Sequence, residues 1–334
     1  MKKTFYIFLI TCLVPASLYA RSQVRGVGSS TVYPFVTVAA EEFGKNNSYK
    51  TPIIESTGTG GGFKLFCKGI GDKHPDISNA SRAIKSSEKK LCKKNGITDI
   101  GEIKIGYDGI VIANSKKSKK YKLTRQQIFL ALARYVPKNG QVVENPYKKW
   151  SDIDKSLPGH TISVYGPPPT SGTRDAFVEL VLQKSCMKLP EFLAKYPNKK
   201  TRKKVCSAVR EDGAYIDAGE NDNFVVHKLN LNKKSLGIFG YSFLENNSDI
   251  VQGAIVNNYK PTFENISAGK YPISRSLFVY VKKQHYNIVK SLKAFITELV
   301  SDDAIGEDGY LTYKGLIPLP SKELKSVQKN TLTF

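Results

Sequence analysis

"ISVYGPPPTSGTRDAF", residues 162–177, sets three prolines, a Ser-Gly-Thr and an Arg-Asp pair between two apolar runs. It reads as a strand, a rigid corner and the start of a helix. Ser171, Gly172 and Thr173 stand at the mouth of that helix. Backbone amides there lack intrahelical partners and carry partial positive charge. Such a place receives anions; the plain alternative is that Ser171 only caps the helix. Prolines are restricted before folding and lose little entropy, so they hold these amides in place ahead of any ligand.

The same plan recurs along the chain. "RGVGSSTVYPF" reads as strand, Gly-Ser turn and a helix from about Pro34. In "TPIIESTGTGGGFKLF" a strand at 52–55 precedes a glycine turn and a helix from about Gly62. "PDISNASRAIK" is a short strand and a small-polar turn before another helix. "IGEIKIGYDGIVIANS" reads as a pair of strands, and a helix is expected around 286–299. Strands alternating with helices mean an α/β fold with central sheets. Tandem hydroxyls at one corner and three successive glycines at another suit close approach of backbone to a ligand.

Residues 1–20 carry Lys2 and Lys3, an apolar run and small residues up to Ala20, the pattern of a secretory signal peptide cleaved near Ala20. The run is too short to span a bilayer. An exported chain then keeps four of the five cysteines: Cys67, Cys92, Cys186 and Cys206. An even count outside the cytoplasm implies disulfides. Three pairings exist, and the nearest-neighbour one, 67–92 with 186–206, is the simplest. The remaining 314 of 334 residues suit two domains rather than one.

Formal net charge is +22, of which Lys2 and Lys3 supply two. The lysine runs at 116–122 and 199–204 lack aromatics interleaved in a recognition motif, so no nucleic-acid partner is expected and solvated lysines suffice. The four histidines are scattered, and neither a metal nor another cofactor is implied. A nucleoside-triphosphate loop, a dinucleotide Gly-x-Gly-x-x-Gly and a nucleophile elbow are all missing. No histidine stands in a context that would activate Ser171.

Taken in order after a leader, "RGVGSSTVYPF", "ESTGTGGGFKLF", "DISNASRAIK" and "PTSGTRDAF" resemble the PstS-type phosphate-binding proteins, the receptors of phosphate ABC importers. "KSLGIFGYSFLENN" and "YPISRSLFVYVKK" fit the family's later segments. The resemblance implies a type II periplasmic binding protein: two α/β lobes with central sheets, joined by two crossover strands, with an anion in the cleft. The crossovers fall at about 109–114 and 276–280. Lobe I is then 21–112 with 277–334, and lobe II is 113–276. It implies inorganic phosphate as ligand, a membrane-embedded ABC permease as partner, a periplasmic monomer, and no enzyme activity.

Carried onto this chain, the family's site falls on Ser30, Thr31, Thr59, Gly60, Ser171, Gly172 and Thr173. Two departures stand out. Pro167 holds the place of an arginine, with Arg174 as the natural substitute. Arg82 holds the place of the aspartate that would accept the proton of hydrogen phosphate. Asp108 is the expected replacement, ahead of Asp175 and Glu55; its plain alternative is a turn aspartate between two strands. Other oxyanions, such as sulfate, arsenate or a small phosphorylated compound, stay open as ligands. A secreted phosphate-ester hydrolase is the weaker third reading.

Overall fold

A computed structural model describes residues 21–219 and 221–333. The expected leader, 1–20, lies outside them. Strands Arg25–Gly28, Ile53–Ser56 and Ile77–Ala80 pair in parallel. Strands Leu236–Gly240, Val164–Gly166 and Tyr215–Asp217 form a second parallel set. Two long strands join the sets. Ser274–Lys282 runs antiparallel to Ile77–Ala80 on one side and to Ile100–Ser115 on the other. The far half of Ile100–Ser115 pairs with Leu236–Gly240 and with Val251–Gly253. The result is one curled α/β sheet with helices packed along it.

The expected pair of strands at 100–115 is one continuous strand of 16 residues. Its pairing shifts register opposite Leu277 and Phe278, beside Gly106. Gly106 has φ +154°, and a Cβ there would lie 2.6 Å from the Ile317 carbonyl oxygen. Glycine thus lets the chain bend against the 316–317 segment without ending the strand. Asp108 is therefore not in a turn; it sits mid-strand opposite Arg275.

The glycine-rich helix begins at Thr59, earlier than Gly62. Glycine disfavours helix by ~1 kcal/mol per residue, which made a turn the natural reading. Packing overrides it: a Cβ on Gly62 would lie 2.5 Å from the Gly28 Cα, so the helix rests directly on the first strand. The helix expected around 286–299 starts later, at Leu292, after a 3₁₀ segment Lys283–Asn287. That tighter segment buries His285.

The core is continuous from Val24 to Leu324, with a smaller cluster of Phe63, Phe66, Ile97 and Tyr280 around the Cys67–Cys92 disulfide. The second disulfide is Cys186–Cys206. Under the first lobe lies a buried charge cluster. Asp76 accepts hydrogen bonds from the Arg21 guanidinium on both oxygens, from the Arg25 amide at 2.7 Å and from His285 Nδ1 at 2.6 Å. His285 Nε2 accepts from the Gly71 amide, which puts the ring proton on Nδ1. Nearby, Lys282 is buried beneath the Phe66 ring and donates to the Gly69 carbonyl. No helix among the described residues is long and apolar enough to cross a membrane.

Candidate functional site

The proline corner is tied at several points. The Pro167 carbonyl accepts from the Tyr215 hydroxyl at 2.6 Å and from Arg174 at 3.1 Å. The Pro168 carbonyl accepts from the Ser171 amide. Ser171 Oγ accepts from the Thr173 amide, so Ser171 does cap the helix Gly172–Phe177. The helical run continues through Val178–Gln183 to Cys186. Its start faces the first corner closely: the Cβ position of Gly172 is 3.6 Å from the Thr31 Cα.

A cavity of about 580 Å³ lies between that helix and the first lobe, walled by Ser30, Thr31, Thr59, Gly60, Arg82, Asp175 and Glu179. A second, of about 320 Å³, is walled by Thr31, Asp108, Gly172 and Thr173, with Phe35, Phe243 and Tyr313 at its rim. Thr31 belongs to both. The structure thus gathers Ser30, Thr31, Thr59, Gly60, Asp108, Gly172 and Thr173 about one cleft.

The two substitute arginines each have a partner of their own, and of the two only Arg82 walls a cavity. Arg82 forks onto both carboxylate oxygens of Glu88, at 2.9 and 2.7 Å. Burial works against the ionised Glu88, but Arg82 and the Lys85 amide hold its carboxyl below the ordinary value. Arg174 lies over the Tyr215 ring, 4.2 Å from its centre, and walls neither cavity. Burial pushes the Tyr215 phenol up to about 12, with Arg174 opposing.

The arginine that ties the two cavities together is Arg275, which walls neither but bonds to residues of both. Its Nε donates to Asp108 at 3.2 Å, one terminal nitrogen to Glu179 at 2.6 Å, and the other to Thr31 Oγ1 at 2.7 Å. Burial pushes the Asp108 carboxyl up, Arg275 draws it down, and Glu179 adds to the rise. Thr31 accepts from Arg275, which leaves its own hydroxyl proton for a ligand. Ser30 gives its proton to Asp175 at 2.6 Å. Sequence reading missed Arg275 and Glu179. The available signal was an arginine inside the apolar "ISRSLFVY", and a glutamate four residues after Asp175.

Hydroxyls and glycines from several corners thus face two cavities that share Thr31, on an α/β frame built of two parallel strand sets. The sequence pattern of the PBP superfamily domain matches residues 14–303. Protein SphX of Synechococcus elongatus is 31% identical over 308 residues, covering 90% of this chain and 79% of that one. The phosphate-binding protein PstS of Staphylococcus saprophyticus is 29% identical over 313 residues, covering 92% and 83%. Among solved structures, a possible phosphate binding protein from Planctomyces limnophilus superposes with TM-score 0.75 at 26% identity, covering 94% of this chain and 98% of that one. The chain belongs to the PBP superfamily, as a PstS-type protein of the type II fold.

Proposed function

We propose that the chain is an extracytoplasmic receptor that binds inorganic phosphate between its lobes and delivers it to a membrane-embedded ABC permease. The observation that carries this reading is the convergence of Thr31, Thr59, Gly60, Gly172 and Thr173 on two cavities that share Thr31, to which Arg275 donates. The similarity to a phosphate-binding protein supports it. Lobe I comprises 21–112 and 277–334, lobe II 113–276, and closure pivots on the two shared strands. The mature chain is a periplasmic monomer beginning near Arg21, whose side chain is built into the Asp76 cluster. No catalytic role is proposed.

Within the cleft, Thr31, Thr59 and the amides of Gly60, Gly172 and Thr173 donate to the anion, Arg275 supplies charge, and Asp108 accepts the phosphate proton. A carboxylate so placed repels sulfate, which carries no proton to share near neutral pH. A small phosphorylated compound is the second reading, favoured by the aromatic rim of the 320 Å³ cavity. Calorimetric titration with phosphate, arsenate, sulfate and a phosphate monoester tests both. Phosphate is expected to bind tightest, and Asp108→Asn to narrow its preference over sulfate. Sulfate binding as tightly as phosphate in the wild type overturns the assignment, and release of phosphate from a chromogenic ester would point to hydrolysis.

A further inference from the structure

We propose that Glu179 is an internal competitor for the anion: its carboxylate clasps Arg275 on the shared strand Ser274–Lys282 until an oxyanion replaces it. The inference rests on the oxyanion reading above and adds a residue that sets affinity. Arg275 is 7% exposed, and three of its nitrogens each donate to a different protein acceptor.

These acceptors differ in how freely they can leave. Asp108 is the register partner of Arg275 on the adjoining strand, so the backbone ladder holds it in place. Thr31 is buried in the turn before the first helix. Glu179 comes from the helical run after Ser171, and its side chain is 45% exposed. It lies one turn beyond Asp175, which takes the Ser30 hydroxyl. The same helical face thus makes both contacts.

Charge decides why Glu179 should move. Asp108, Asp175 and Glu179 all stand at the cleft, and Arg275 is the cation in contact with two of them. Arg82 is engaged by Glu88, and Arg174 by Tyr215 and Pro167. An oxyanion docking on Arg275 with Glu179 in place would set a third anion, beside Asp108 and Glu179, on one guanidinium, in a partly buried site where like charges repel strongly. Exchange avoids this, because one anion leaves the guanidinium as another arrives. Lys203 walls the same cavity and offers the released carboxylate a cation, as does Lys85 on the opposite wall.

The test is Glu179→Gln in the full chain, which keeps the shape and removes the charge. Inorganic phosphate is titrated into wild type and variant by calorimetry, and small-angle scattering compares the two proteins without anion. Losing the clasp destabilises only the state that competes with ligand, so phosphate should bind about tenfold tighter in the variant. Its anion-free radius of gyration should exceed that of wild type. Unchanged or weaker phosphate affinity overturns the proposal, and so do equal radii. Should Glu179→Gln fail to fold, Glu179→Asp withdraws the same charge by one methylene and is expected to tighten binding by a smaller factor. If wild type binds no phosphate, the receptor reading falls, while scattering still decides the clasp.

Discussion

Asp76 and Arg275 are both buried charges with several partners, and their clusters are built in opposite senses. Around Asp76 one anion collects donors: Arg21, His285 and the Arg25 amide. Its side chain is fully buried, and its partners come from Arg21 ahead of the first strand, from the first strand itself and from the segment before the last helices. Around Arg275 one cation collects acceptors, and one of them is half in solvent. The first arrangement has nothing to exchange and serves to hold distant segments together. The second keeps a partner that water or a ligand can reach. On the proposed reading, a buried charge is functional here where one of its partners is releasable, and structural where none is.

The largest expected effect falls on Arg275. Arg275→Ala should weaken phosphate binding by at least about a hundredfold, since each charge-assisted hydrogen bond contributes ~1.5–3 kcal/mol. Arg174→Ala should cost less than about tenfold, because Arg174 acts on the cleft through the proline corner. Calorimetry on both variants checks the ranking, and equal losses would dissolve the contrast between Arg275 and the corner arginine.

Asp76→Ala should leave the cleft chemistry intact and lower unfolding stability by ~3–5 kcal/mol, the usual effect of removing one partner from a buried ion pair. Urea unfolding followed by circular dichroism measures it. A loss below roughly 1 kcal/mol, the worth of an exposed pair, would remove Asp76 from the structural side of the comparison.

The last effect is a slope. Burial lowers the Lys282 ammonium to about 7, with Asp76 opposing. Between that value and the ordinary 10.5 the unfolded chain binds more protons than the folded one, so stability rises with pH across this window. The rise contributes up to ~1.4 kcal/mol per pH unit. Below the folded value both states are protonated and the full penalty stands. Lys282→Met should flatten the curve from pH 7 to 10, and an identical slope in wild type and variant would show that Lys282 is charged throughout.

The strand–corner–helix units were legible because each is local: Ser171, its capped amide and the prolines lie within a few residues. So were the cysteine pairs, 25 and 20 residues apart. Arg275 was not legible as the cation that ties the two cavities together, because its meaning depends on partners 96 to 244 positions away, at Glu179, Asp108 and Thr31. Arg82 was legible as a cavity residue, but its fork onto Glu88 was not. That partner is six residues on, and only the helix between Ser86 and Lys94 turns the carboxylate towards it.

The seam between Ile77–Ala80 and Ser274–Lys282 also constrains synthesis. While the first two hundred residues emerge from a ribosome, the strand Ile77–Ala80 has Arg25–Gly28 on one flank and no mate on the other. Its mate is made last but for the closing helices. The nascent chain therefore carries a growing, unpaired sheet margin for most of its translation, and such margins recruit other chains. Late closure favours delivery of the chain to its compartment still unfolded, and it makes the 274–282 strand the point at which a truncated or stalled product turns from foldable to aggregation-prone.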